Sequence, residues 1–352
     1  MTRGSNIAEK PTLAAQFGAS GALFGLRTTA AALAALWLGM WLQFDTPRWA
    51  AWTAMALALP TRGLVATKGM WRAGGTILGL AAGLAGVAIF SQSAIAMGLF
   101  LAAWFAFNAY VGGRLPGFAA YGAALSGLTT GLVVVLSEAS PLTIFNISVA
   151  RAADILLGLA CAYVASAFAE MLQGPRPATA ARPAPAPNLA QVAGNTVRVF
   201  VAVGLAWFIW MATAWPSGGL FAVFAGVVAL FLGTLPDPDR RSADYLWGVI
   251  LGQFLGIFVK YALLNAPSSF GLLAAILAPF LFIGAVGMTD QRTAGTAVGY
   301  NLSFLLAVDP ANPMQYDLAA SLNEAAAIFA GIAFGMAAYR IVLPERIWRA
   351  AR

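Results

Sequence analysis

Residues 60–76, PTRGLVATKGMWRAGGT, set a proline and three cations (Arg62, Lys68 and Arg72) between two apolar runs, WAAWTAMALAL before them and ILGLAAGLAGVAIF after them. Three readings compete for this stretch: a phosphate cradle, a charged loop that fixes membrane topology, or one wall of a solute path. A phosphate-binding loop needs G-x-x-x-x-G-K-[ST] between a strand and a helix. Gly63 and Lys68 have the wrong spacing for that, and the neighbouring runs do not read as strands. The first reading is therefore weak, and the rest of the chain decides between the other two.

Composition sets the class. Of 352 residues, 61% are hydrophobic and only 9% are charged, whereas a soluble domain carries about 25% charged residues. Mean hydropathy is +0.79. Several apolar runs approach the roughly 20 residues that a spanning helix needs. They are continuous and rich in Ala, Leu and Gly, without the polar alternation of barrel strands. The expected class is an all-α polytopic membrane protein. Cys161 is the single cysteine, so no intramolecular disulfide forms, and there is no histidine. That excludes Ser-His-Asp catalysis, a His-ligated metal and a His proton relay. With no histidine and no clustered carboxylate pair on one helix, no enzyme is expected, and neither a cofactor nor a metal site is assigned. The net charge of +7 is read as loop topology and attraction to anionic lipid, not as nucleic-acid binding.

Twelve hydrophobic segments are expected, near 27–44, 48–67, 73–91, 94–111, 116–137, 146–172, 196–213, 217–235, 243–264, 269–288, 292–308 and 319–343. The seam GPRPATAARPAPAPN reads as a semi-rigid spacer. This divides the chain into a cytoplasmic N-terminal segment (1–26), a first six-helix repeat (27–173), a Pro/Ala-rich linker (174–190) and a second repeat (191–352). Arg27 and Arg198 open the two repeats, and Leu-Pro closes a short apolar run in each, at Pro60 and Pro236. Glycine-spaced helices follow, with Gly75, Gly79 and Gly83 in one and Gly248, Gly252 and Gly256 in the other. Such faces are read as close-packing surfaces. An even number of spans per copy makes the repeat parallel.

With both termini inside, all Lys and Arg except Arg48, Arg151 and Lys260 fall on the cytoplasmic side, as the positive-inside rule requires. Arg62, Lys68 and Arg72 then belong to the loop between segments 2 and 3. Yet Pro60 follows Trp49 after only about 18 Å of helix, short of a hydrocarbon core of about 30 Å. Segment 2 is expected to continue past a break at Pro60. Proline-interrupted segments at matching places in two halves point to a transporter binding site.

Pro60-x-x-Gly63, Lys68 and Arg72-x-x-Gly75-Thr76-x-x-Gly79 together resemble the signature of the fusaric acid resistance family, also called aromatic acid exporters. RAADILLG, with Arg151, Asp154 and Gly158, is similar to that family's Arg-x-x-(acid)-Ile-x-x-Gly at the start of the sixth helix. Many members carry a large cytoplasmic domain after each half; a spacer stands at the first position here, so a compact form is expected. The resemblance implies efflux of small aromatic or hydrophobic carboxylic acids, driven by the proton gradient across a bacterial inner membrane. It also implies a periplasmic adaptor as partner, and a homo-oligomer is left open. The rival reading is a passive channel or a non-transporting scaffold.

Some charges are not explained by topology. Arg151 and Asp154 share one face of segment 6. Either they neutralise each other structurally, or Asp154 takes the driving proton while Arg151 holds a substrate carboxylate. Lys260, with Asn323 and Glu324, would complete a polar ring between the halves, although Glu324 equally suits an outer loop. Arg62 is a further candidate for substrate contact. Pro60, Gly63, Lys68, Arg72, Gly75, Thr76 and Pro236 are assigned to the helix break and its motif.

Overall fold

The computed structural model describes residues 19–139, 143–174, 188–233, 238–265 and 269–343. The described residues form twelve helices: α1 (Ala19–Trp41), α2 (Arg48–Ala56), α3 (Arg62–Phe90), α4 (Ala94–Arg114), α5 (Phe118–Ala139), α6 (Ile144–Gln173), α7 (Leu189–Thr213), α8 (Gly218–Leu232), α9 (Pro238–Phe258), α10 (Phe270–Gly287), α11 (Ala294–Val308) and α12 (Leu318–Ile341). No strand occurs among the described residues. Nine of these helices are long and apolar enough to span a membrane, and α8 and α11 are shorter apolar helices.

The packing repeats. In the first half α3 lies on α5, α2 on α1 and α6, and in the second half α9 lies on α11, α8 on α7 and α12. The halves join by matching pairs: α4 on α7 with α10 on α1, and α5 on α8 with α11 on α2. This is the pattern of two repeats related by a two-fold axis. Glycines make the α3–α5 and α9–α11 pairs possible. A Cβ on Gly75 would collide with the Gly122 carbonyl, and one on Gly248 with the Thr296 carbonyl, so the backbones touch where helices without side-chain spacing can approach.

α2 and α8 are the innermost elements. Seven of the nine α2 residues and most of α8 are buried. The outer surfaces instead expose large apolar side chains such as Phe208, Trp247, Phe254 and Met171, an arrangement suited to lipid and not to water.

The break at Pro60 differs from expectation. Segment 2 does not continue as a helix to residue 67. α2 stops at Ala56 after nine residues, about 13 Å of rise, and a separate helix of 29 residues begins at Arg62. Pro60 has no N–H to offer and disfavours helical backbone at the residue before it. Thr61 then caps the new helix, its side chain accepting from the Leu64 N–H. Lys68 and Arg72 therefore lie on the second and third turns of α3 and not in a loop. Helix α1 is already under way at Ala19, so residues 19–26 of the expected N-terminal segment are helical. Pro236 and most of the Pro/Ala linker lie outside the described residues.

Candidate functional site

The broken helix explains the cations of the opening stretch. A helix end leaves carbonyls without intrahelical donors, and in an apolar surrounding such groups need partners. Lys68 Nζ donates to the Ala56 carbonyl at 2.5 Å. Arg27, reaching across from α1, donates to the carbonyls of Leu59 at 2.6 Å and Pro60 at 3.4 Å. Positive charge at a helix C-terminus also opposes the helix dipole favourably. Arg72 is 2% exposed; it donates to the Tyr121 hydroxyl at 2.7 Å and to Thr53 Oγ1 at 3.0 Å, and it stacks 4.9 Å from the Trp52 ring centre. Thr76 and Gly75 are buried in the same helix, whereas a Cβ on Gly63 would meet nothing.

Arg62 stands apart. It is half-exposed, its backbone N–H donates to Glu170 Oε1 at 2.6 Å, and its guanidinium lies 3.5 Å from Glu170 Oε2. Glu170 is nineteen residues beyond Arg151 on α6, which separates Arg62 from the opposite end of the bundle by about 28 Å.

At that opposite end, the three cations that fail the positive-inside count come together. Arg48 begins α2, Arg151 lies on α6, and Lys260 lies in a π-helical turn, Val259–Leu263, that ends α9. Arg151 is 5% exposed and its guanidinium lies 3.9 Å from the Trp49 ring centre; Arg48 flanks the same ring at 6.0 Å. Arg48 forms an ion pair with Asp309, the left-handed residue that caps α11. Lys260, 3% exposed, lies 3.9 Å from the other oxygen of that carboxylate. Glu324 is within electrostatic reach of both Arg48 and Lys260. It occupies the second turn of α12 and not an outer loop. Tyr261 and Ser321 share a hydrogen bond of 2.9 Å, and the Tyr316 hydroxyl donates to the Leu264 carbonyl, which together hold the π turn against α12. Interrupted helices of this kind are frequent at functional sites.

Asp154 is fully buried, accepts from Thr46 Oγ1 at 2.9 Å, and leaves Oδ1 without a hydrogen-bond partner. Asn323 makes the comparable tie in the second half, donating to Ser217 Oγ at 2.8 Å and accepting from Trp215 Nε1 at 2.6 Å. So Arg151, Asp154, Lys260 and Glu324 share one region, Asn323 adjoins it by fixing the α7–α8 turn, and Arg62 is remote. Arg48, Asp309 and Trp49 belong to the same group and were not singled out as site residues. Two of the three carried a signal, since Arg48 is one of the three topological exceptions and Trp49 lies beside it. Asp309 carried none, because an acid next to Pro310 reads as an ordinary loop residue. Among the described residues, no cluster of His, Cys, Asp or Glu is placed to hold a metal ion.

Two pseudo-symmetric six-helix halves that meet at a buried charged seam define an internally repeated, polytopic helical membrane protein. The chain belongs to the fusaric acid resistance protein family, whose model matches residues 21–173 and again residues 167–352. It is 34% identical over 142 residues to "Uncharacterized transporter GOX0755" of Gluconobacter oxydans, covering 39% of this chain and 19% of that protein. It is 29% identical over 162 residues to the "p-hydroxybenzoic acid efflux pump subunit AaeB" of Citrobacter koseri, covering 44% of this chain and 24% of the relative. The protein of the same name from Pantoea ananatis is 30% identical over 132 residues, 37% of this chain and 20% of its own length. The chain thus spans about a fifth to a quarter of the length of the curated relatives it matches. No solved structure matches the chain.

Proposed function

We propose that this protein is an efflux transporter for small aromatic or hydrophobic carboxylic acids, driven by the proton gradient across a bacterial inner membrane. The observation that carries the reading is the convergence of Arg48, Arg151 and Lys260 on the Trp49 ring and the Asp309 carboxylate at the seam between the halves. Intramembrane charges cost about 2.5–3.5 kcal/mol each on insertion scales and are retained where they handle ions or substrates. Cations beside an aromatic face suit an anion that carries a ring. The printed names of the AaeB relatives support the same substrate class and a pump built of more than one subunit.

In this reading Arg151 and Lys260 bind the carboxylate, Asn323 orients the site, and Arg62 with Glu170 lies near the entry side. Asp154 takes up the coupling proton, assisted by Glu324. A carboxylate bound at Arg151 changes the proton affinity of Asp154 by charge proximity, which links the two flows. Pro60, Lys68, Arg72 and Pro236 belong to the motif that shapes the path. The two repeats, 27–173 and 191–352, form the transporter, with both termini cytoplasmic and a periplasmic adaptor receiving the product. No enzymatic step is assigned.

The test is transport of labelled p-hydroxybenzoate by the full chain in proteoliposomes. Accumulation that follows an imposed pH gradient and stops when a protonophore collapses it supports the transporter. Flux that continues after collapse indicates a channel, and no flux under any gradient indicates a scaffold.

A further inference from the structure

Of the four helix pairs that join the halves, the equivalent pairs α5–α8 and α2–α11 differ in chemistry. Where α5 meets α8 the contacts are apolar and tight: a Cβ on Gly131 would meet Val223 at 2.9 Å, and Gly219 is pressed against Val135. Where α2 meets α11, polar contacts are added to the apolar packing. Arg48 pairs with Asp309, and Trp52 Nε1 donates to the Leu302 carbonyl at 3.1 Å. An interdigitated apolar seam does not separate without exposing its surface, whereas an ion pair can exchange one carboxylate for another. Arg48 and Asp309 are each about a quarter exposed (28% and 27% of the side chain).

We propose that Asp309 is an internal substitute for the substrate carboxylate and latches the α2–α11 seam shut until a solute carboxylate displaces it from Arg48 and Lys260. Asp309 belongs to the second half and Arg48 to the first, so the exchange of partners releases one half from the other at this end. The α5–α8 seam stays closed and serves as the hinge. Lys260 belongs to the same half as Asp309, remains in place and receives the solute. This rests on the transporter reading above, and it adds Arg48 and Asp309 as the residues that set carboxylate affinity.

The experiment is equilibrium binding of labelled p-hydroxybenzoate to the purified full chain and to Asp309→Asn, with transport measured on the same preparations. Removing the competing carboxylate raises the population of the open seam, so D309N should bind about tenfold more tightly than the parent. Unchanged or weaker binding by D309N overturns the latch, as does binding by neither protein. Gradient-driven transport that persists beside unchanged affinity overturns the latch alone and leaves the transporter reading intact. As a second check, Asp309→Glu keeps a competing carboxylate and should bind p-hydroxybenzoate with an affinity near the parent's; binding by this variant as tight as by D309N also overturns the latch.

Discussion

Arg151 and Asp154 lie one turn apart on α6, yet they form no direct ion pair: the guanidinium stacks on Trp49 and the carboxylate accepts from Thr46. Mutual neutralisation, the structural explanation for two charges at this spacing, is therefore incomplete. One oxygen of Asp154 and the Nε of Arg151 are buried without a hydrogen-bond partner. Buried polar atoms in that condition are unusual enough to ask what they await.

The Thr46 bond makes the first prediction. Asn at position 154 keeps an acceptor for Thr46, so Asp154→Asn should fold with little loss of stability. Thr46→Val leaves the buried carboxylate without its donor and should destabilise the protein by about 1–3 kcal/mol. Thermal unfolding of both variants in detergent tests this. Equal midpoints would show that the bond contributes nothing.

The Trp49 stack makes the second. A desolvated cation–π contact is worth about 2 kcal/mol or more. Trp49→Leu should lower stability by at least that much, and Trp49→Phe by less. Arg151→Lys keeps the charge but loses the planar face, and it should weaken p-hydroxybenzoate binding. A lysine variant with parental affinity would remove Arg151 from the site.

Close helix contact separates glycines that the motif treats alike. Gly75→Val and Gly248→Val force side chains into the Gly122 and Thr296 carbonyls. Each should reduce the yield of folded protein sharply, since such overpacking costs about 1–3 kcal/mol or more. Gly63→Ala meets no neighbour and lies within a helix, where alanine is favoured by up to about 1 kcal/mol. Its unfolding midpoint should be unchanged or higher.

The capping cations give a fourth contrast. Lys68→Met leaves the last carbonyl of α2 without its donor and should destabilise by about 1–3 kcal/mol. Arg62→Gln breaks a half-exposed ion pair and should change stability by less than about 1 kcal/mol. The reverse order would mean that the break at Pro60 is held by something other than Lys68.

Helix count, repeat and glycine faces were legible because each rests on local rules: hydrophobic length, even spacing and small residues at i and i+4. The break was legible as a break, but its form was not. Length arithmetic required segment 2 to reach across the membrane, so a nine-residue inner helix followed by a short irregular link was outside that arithmetic. Lys68 and Arg72 read as loop cations for the same reason, although they serve carbonyls and hydroxyls inside the bundle. The site was half legible. Arg151, Asp154, Lys260 and Glu324 stood out as charges in apolar runs, and the structure brings them into one region. Asp309 could not be found, because its importance comes from α11 meeting α2 across about 260 residues of chain, from Arg48 to Asp309, a pairing that no spacing encodes.

The most direct test of the account is gradient-driven transport of labelled p-hydroxybenzoate by the full chain and by Asp154→Asn at equal amounts of folded protein. Accumulation is expected from the parent and none from the variant, with exchange across equal concentrations retained. Equal accumulation by both proteins would contradict proton coupling through Asp154.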